Sequence, residues 1–211
     1  MQAVIDYFGE NWAEWLQMVL EHLEVSVLSL SLAMVVAVPV GILVSRSSLA
    51  EKVATNVAGI FRIIPSLAVL VVCVPLLGVG MLPAVVALTV LAIPPILINT
   101  AVAFRSVPAD VVEAATGMGM GPARLFLTVK APLAFPVAFA GVRTAAVEVI
   151  ASATLAAYIG AGGLGVLIYT GIGALRSDLL WIGGLSVAVL SLAVGGLLSC
   201  VDRRVRRYER A

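Results

Sequence analysis

Long apolar runs separated by short clusters of charge dominate the chain. An apolar run of about 20 residues is long enough to cross the hydrocarbon core of a bilayer as a helix. Five such runs stand at 23–44, 55–77, 83–104, 133–158 and 179–200. Each is expected to be one membrane span. The second holds Arg62, Pro65 and Pro75, and the third holds Pro94-Pro95, a pair expected to bend or interrupt it. Residues 1–21 mix Tyr7, Phe8, Trp12 and Trp15 with Asp6, Glu10, Glu14 and Glu21. That mixture predicts a short amphipathic helix at the interface, where tryptophan and tyrosine concentrate. A loose terminus reads nearly as well. The predicted organisation is an interfacial segment at 1–21, a transmembrane domain at 22–201 with a polar central loop at 106–132, and a basic tail at 202–211.

Composition agrees with this pattern. The 211 residues are 62% hydrophobic and 12% charged, with a mean hydropathy of +1.13. A soluble domain carries about twice that share of charge. The expected fold class is all-α and polytopic, with about five transmembrane helices. A net charge of +1, without a basic patch interleaved with aromatics, predicts no nucleic-acid partner. No basic segment precedes an apolar run at the start, so a cleavable signal peptide is not expected. Cys73 and Cys200 fall in different runs, near opposite faces of the membrane, and no disulfide is expected between them.

The basic residues predict an orientation. With five spans, one set of loops holds Arg46, Lys52, Arg105, Arg124, Lys130 and Arg203 through Arg210, while the opposite set holds Arg176. The positive-inside rule then places the central loop and C-terminus in the cytoplasm and the N-terminus outside. No internal inverted repeat is visible, which counts against a self-contained secondary transporter of the repeat type.

Candidate chemistry is sparse. Gly160-Ala161-Gly162-Gly163-Leu164-Gly165 satisfies G-x-G-x-x-G, but the run before it is a span and not a strand of a βαβ unit. A flexible outer loop able to pack backbone on backbone is the expectation. No phosphate-binding loop motif occurs, so ATP hydrolysis is not expected on this chain. One histidine, His22, and no acidic pair at helical spacing inside a span predict no metal site. Ser26, Ser29 and Ser31 are expected to serve helix packing. Arg62, Arg143 and Glu148 are ionisable groups inside spans, and each must face protein or water. Both arginines are near span ends and able to snorkel. Glu148 is deeper, and two roles stand open for it: a polar member of a translocation path, or a structural group at a helix interface. Arg62 is a candidate partner for either Arg143 or Glu148.

The central loop holds the most specific pattern. Pro108 is expected to start a helix, with Asp110 and Glu113 near its positive end. Gly117, Gly119 and Gly121 then form an elbow. A second helix is expected over 123–130, ended by Pro132. Val111, Val112, Ala114 and Ala115 are small and apolar where a loop should meet water, which suits a docking surface. Contact with the chain's own bundle is the other reading. The spacing of Glu113-Ala114-Ala115 to Gly119 to Pro132 resembles the EAA loop of ABC importer membrane subunits. Val129 and Ala131 depart from that pattern, apolar for apolar.

Further stretches narrow the resemblance. Ala153-Thr154-Leu155-Ala156-Ala157-Tyr158-Ile159 running into the glycine motif, with Phe61-Arg62-Ile63-Ile64-Pro65-Ser66 and Arg105-Ser106-Val107, resembles the permease subunits of osmoprotectant ABC importers. That group takes glycine betaine, choline, carnitine and proline. The resemblance implies the type I (MetI-like) importer fold, in the inner membrane of a prokaryote. It implies two ABC ATPase subunits carrying ATP and Mg, a second permease copy or related permease, and an extracytoplasmic solute-binding protein. Glu113, Ala114, Ala115, Gly119 and Pro132 would then couple to the ATPase. An ATP-independent oligomeric channel or secondary carrier, or a structural membrane adaptor, are the rivals that composition leaves open.

Overall fold

The computed structural model describes residues 2–206. Arg207 and Arg210 of the expected tail lie outside them. Among the described residues all regular structure is helical: α1 (Gln2–Val44), α2 (Ser48–Phe61), α3 (Ser66–Leu77), α4 (Met81–Arg105), α5 (Ala109–Gly117), α6 (Pro122–Leu125), α7 (Ala131–Ala156), α8 (Gly165–Gly173) and α9 (Ser177–Arg206). A π segment, Phe126–Lys130, joins α6 to α7, and a 3-10 turn, Ala157–Ile159, closes α7.

Four stretches are long and apolar enough to cross a membrane: Asp6–Val44, Met81–Arg105, Pro122–Ile159 and Ser177–Arg204. The α2–α3 pair makes five if it counts as one span. That pair corrects the expectation of a single helix over 55–77. The chain breaks at 62–65, with Arg62 capping α2 and Pro65 (φ −59, ψ 132) opening α3. Proline disfavours helical angles at the residue before it, so the helix stops short of Pro65. At 1.5 Å per residue α2 and α3 are each about 20 Å long, too short to cross alone.

Three other expectations are corrected. The helix expected over 1–21 does not end before the first span: α1 is kinked at Asn11 (φ −121, ψ 22), and beyond the kink it continues to Val44. The Pro94-Pro95 pair does not interrupt α4; both prolines are buried inside it. Asn99 Nδ2 donates to the Pro95 carbonyl at 2.8 Å, one turn further along the helix. Nor does Pro132 end a helix, as described with the loop.

The interior is built from small residues. Ala33, Ala37, Ala84, Ala87, Ala92, Ala101, Ala134, Ala145, Ala146, Ala153 and Ala156 are all buried. Large apolar side chains such as Val35, Leu43, Leu76, Leu192 and Leu197 are exposed. Lipid tails solvate leucine as well as another helix does, so small residues are retained where helices meet and large ones face outward.

The residues cluster into two compact units. One comprises the described residues up to Leu32, with Ile64–Ala92 and Ala146–Gly196. Leu70, Ala84, Ala87, Ala156 and Ile159 form one of its cores; Leu164, Leu167, Leu179 and Ile182 form another, covered by Tyr7, Phe8 and Trp15. Ser29 Oγ bridges the carbonyls of Val25 (2.8 Å) and Val85 (3.3 Å), so this serine serves helix packing. The second unit comprises Ala33–Ile63, Ile93–Ala145 and the described residues from Leu197 on. In it, a Cβ on Gly41 would stand 2.7 Å from Thr100 Cβ, and one on Gly141 would stand 2.6 Å from the Pro95 carbonyl oxygen. Glycine at both positions lets α1 and α7 approach α4 closely.

Candidate functional site: the central loop and the intramembrane polar groups

Pro108 (φ −59, ψ 132) is the N-cap of α5, one residue before the helix that it was expected to begin. Asp110 lies in the first turn, where a carboxylate opposes the positive end of the helix dipole. The other end is closed by a paired backbone motif. Gly119 N–H donates to the Thr116 carbonyl at 2.9 Å, and Met120 N–H donates to the Ala115 carbonyl at 3.2 Å. These are the two bonds of a Schellman ending, which needs a left-handed residue. Gly119 supplies it at φ +82. A Cβ there would meet nothing within 4 Å of this chain. The glycine therefore serves backbone conformation, and not the relief of a clash inside the elbow.

Exposure divides α5 into two faces. Ala115 is buried and Val112 half-buried, so one face rests on the chain's own unit. Glu113, Ala114, Val111 and Met118 are exposed. Val111, Ala114 and Met118 are spaced i, i+3, i+7, which puts them on one helical face. Met118, 73% exposed, was not among the residues singled out from the sequence. Its signal was that spacing, obscured by the glycines on either side.

Beyond the elbow, Pro122 opens α6 and the helical path then continues without a stop into α7. Pro132, exposed, is the second residue of α7. The expected break is replaced by the π segment, where Ala131 N–H reaches the Phe126 carbonyl five residues back. In an α-helix the Pro132 ring would clash with the carbonyl of Thr128 and leave it without a donor. Widening the turn moves that carbonyl aside. The Phe126 ring stacks on Phe104 at the end of α4, with centroids 5.6 Å apart and planes 8° from parallel, which fixes the segment. Arg105, just before the loop, meets Glu51 at 3.8 Å.

Arg62 is exposed at the α2–α3 break. Arg143, on α7, turns to α9: its guanidinium donates to Ser199 Oγ at 3.4 Å and faces an Asp202 carboxylate oxygen at 4.0 Å. Asp202 is 8% exposed and escaped the sequence reading because it was counted with the tail. Glu148 is half-buried on α7.

The glycine motif is a tightly packed corner and not a flexible loop. Gly163 and Gly165 are buried, and Gly163 N–H donates to Glu21 Oε2 at 3.0 Å. The Gly160, Gly162 and Gly163 φ angles are all positive. His22, 1% exposed, lies beneath, its Nε2 donating to the Ile150 carbonyl at 2.9 Å.

An all-helical bundle that presents a glycine-closed helix between two spans defines a class, the membrane subunits of transport assemblies. Residues 31–207 match the family described as binding-protein-dependent transport system inner membrane component, and the chain belongs to it. It is a permease subunit of an ABC importer. A carnitine transport permease protein (OpuCB) of Listeria monocytogenes is 41% identical over 97% of this chain and 94% of its own. A choline transport system permease protein (OpuBB) of Bacillus subtilis is 35% identical over the same shares. Among solved structures, an inward-facing methionine ABC transporter (MetNI) matches with TM-score 0.79 at 24% identity, covering 90% of this chain and 95% of that one; this likeness speaks for the fold alone.

Proposed function

We propose that this subunit carries small quaternary ammonium osmolytes of the glycine betaine, choline and carnitine kind, drawing on ATP hydrolysed by a separate subunit. The relatives named for carnitine and choline align over nearly their whole lengths, which supports the solute class. In this reading the partners are two ABC ATPase subunits that hold ATP and Mg, a second permease, either a copy or a relative, and an extracytoplasmic solute-binding protein. The central loop and the C-terminus face the cytoplasm. Residues 22–201 form the transport domain, 1–21 its outer edge and 202–211 its basic tail.

The observation that carries the coupling role is α5. It is short, closed by a Schellman turn at Gly119, and turns Val111, Ala114 and Met118 outward beside Glu113. Such a helix is rigid and offers an apolar face that lacks a cover in this chain. ATP binding draws the motor subunits together, and α5, seated on one of them, moves as a rigid body. Pro132 and the π segment pass that motion to α7. Glu148 and Arg143 contribute polarity to the transport domain, Glu148 toward the path.

Purification in mild detergent tests the assembly: a P-loop ATPase is expected in equal number to permease chains. Gly119→Asp is expected to leave that assembly intact and to cut solute-stimulated ATP turnover at least tenfold. Undiminished uptake by that variant would remove the coupling assignment.

A further inference from the structure

Between the first turns of α1 and the first half of α9 lies an apolar groove of about 320 Å³. Phe8, Trp15 and Val19 line it from α1, and Trp181, Val189 and Ala193 from α9. All of these belong to the same compact unit. Two polar groups on the wall satisfy each other: Trp15 Nε1 donates to Ser186 Oγ at 2.9 Å. The Trp181 indole belongs to an exposed residue at one end. The rest of the wall asks for no hydrogen bond, so the groove suits hydrocarbon and not a polar solute.

Length and width say what kind of hydrocarbon. From Trp181 to Ala193 α9 rises about 18 Å. One leaflet, half of the bilayer core, is about 15 Å deep. Spread over that length, the volume is one extended chain wide. A helix with its side chains is about 10–12 Å across and cannot enter. Trp12 stacks on Trp15 with centroids 4.9 Å apart, and both Trp12 and Trp181 are exposed. Tryptophans of this kind sit at headgroup level. The groove therefore runs from the headgroups into the core, which is the course of an acyl chain.

Charge beside the groove bears on the headgroup. On the neighbouring flank of α1, Asp6, Glu10 and Glu14 line a polar cavity of about 410 Å³ together with Arg176. Arg176 is in turn paired with Asp178. Carboxylates outnumber the cation there. That balance opposes a headgroup of net negative charge and favours one that ends in an ammonium.

We propose that the α1–α9 groove is a binding site for one acyl chain of a bilayer lipid with an ammonium headgroup, such as phosphatidylethanolamine. A chain in a groove is touched on several sides, whereas a chain against a convex helix is touched on one. It therefore stays longer than the surrounding lipid and ties the start of α1 to α9.

The test uses the complete transporter in vesicles of equal parts phosphatidylethanolamine and phosphatidylglycerol. A trace of either lipid carries a photoreactive group partway along one acyl chain, and peptide mass spectrometry locates the attachment after illumination. With the phosphatidylethanolamine probe, label is expected on Val19, Val189 and Ala193 at least about fivefold above Leu192, which is exposed on α9 at the same depth but outside the groove. Ala193→Trp, which fills the groove, should lower the label on Val19 and Val189 by a similar factor, while Leu192→Trp leaves it unchanged. The phosphatidylglycerol probe should label the groove about threefold less, the effect of one exposed charge contact. Label spread evenly over Leu192 and the groove would mean ordinary boundary lipid and overturn the site. An unlabelled groove beside a labelled Leu192 would mean that a neighbouring protein covers it, which overturns the site as well. Equal label from the two probes would overturn the headgroup assignment. The wild-type label pattern decides for or against the site even where a variant does not assemble.

Discussion

Glycines in this chain do two different jobs, and single substitutions separate them. At Gly119 the requirement is a backbone angle; at Gly165 it is space. A Cβ on Gly165 would stand 2.1 Å from the Thr154 carbonyl oxygen and 2.8 Å from Ala157 Cβ. The nearest obstacle is backbone, which cannot rotate away. Gly165→Ala is expected to cost at least about 1–3 kcal/mol, the usual range for overpacking. Gly184→Ala is the matched control, since a Cβ there meets nothing within 4 Å and the position is inside α9. It should be neutral or stabilising by up to about 1 kcal/mol. Thermal unfolding of the detergent-solubilised subunit measures both, and a Gly165→Ala protein as stable as Gly184→Ala would contradict the close packing. The sequence marked Gly119 as part of an elbow but gave no sign of the crowding at Gly165. The angle at Gly119 follows from the local pattern of a helix end. The crowding at Gly165 depends on where residues 154–157 fold back.

Elements show the same division. Span positions were legible because about 20 apolar residues in a row have few other uses. Helix interruptions were legible less often, because proline does not act alone. Pro65 breaks its span, while Pro94-Pro95 sits inside α4 and Pro132 is absorbed by a wider turn. Whether a proline breaks a helix depends on its surroundings: Pro94 and Pro95 are held inside a buried stretch of α4, and Pro132 follows the widened turn of the Phe126–Lys130 segment. A substitution checks this account. Pro132→Ala restores an amide that the Thr128 carbonyl, four residues back, can accept, so the π segment should tighten toward α geometry. Amide exchange across 126–132 is then expected to slow by about fivefold, the effect of one added hydrogen bond of about 1 kcal/mol. Unchanged exchange would mean that Phe126 stacking on Phe104, and not the proline, sets the wide turn.

At the scale of the molecule, the proposed orientation fixes which side each loop faces. The orientation proposed here predicts that a cysteine placed at Ala109 reacts with a membrane-impermeant maleimide only after the cells are opened. A cysteine placed at Leu175, exposed between α8 and α9, should react in intact cells. Both measurements are made with Cys73 and Cys200 replaced by serine. The opposite pattern would invert the topology, and labelling of both from outside would mean that the stretch Pro122–Ile159 does not complete a crossing.

By itself the sequence determined the all-helical membrane class, the approximate spans and the loop on which coupling is proposed. Those properties rest on local composition and spacing, which hydropathy and backbone preference translate directly. Only the tertiary structure decided who meets whom. It turned Arg143 toward Asp202, 59 residues away in the chain, buried Gly163 against Glu21, and brought Tyr169 to Tyr158. It also separated the exposed face of α5, with Met118, from the buried Ala115. Contacts of this kind depend on how helices of nearly uniform apolar character lie against one another. A chain whose interior is mostly alanine and glycine writes little of that arrangement into the identity of any one residue.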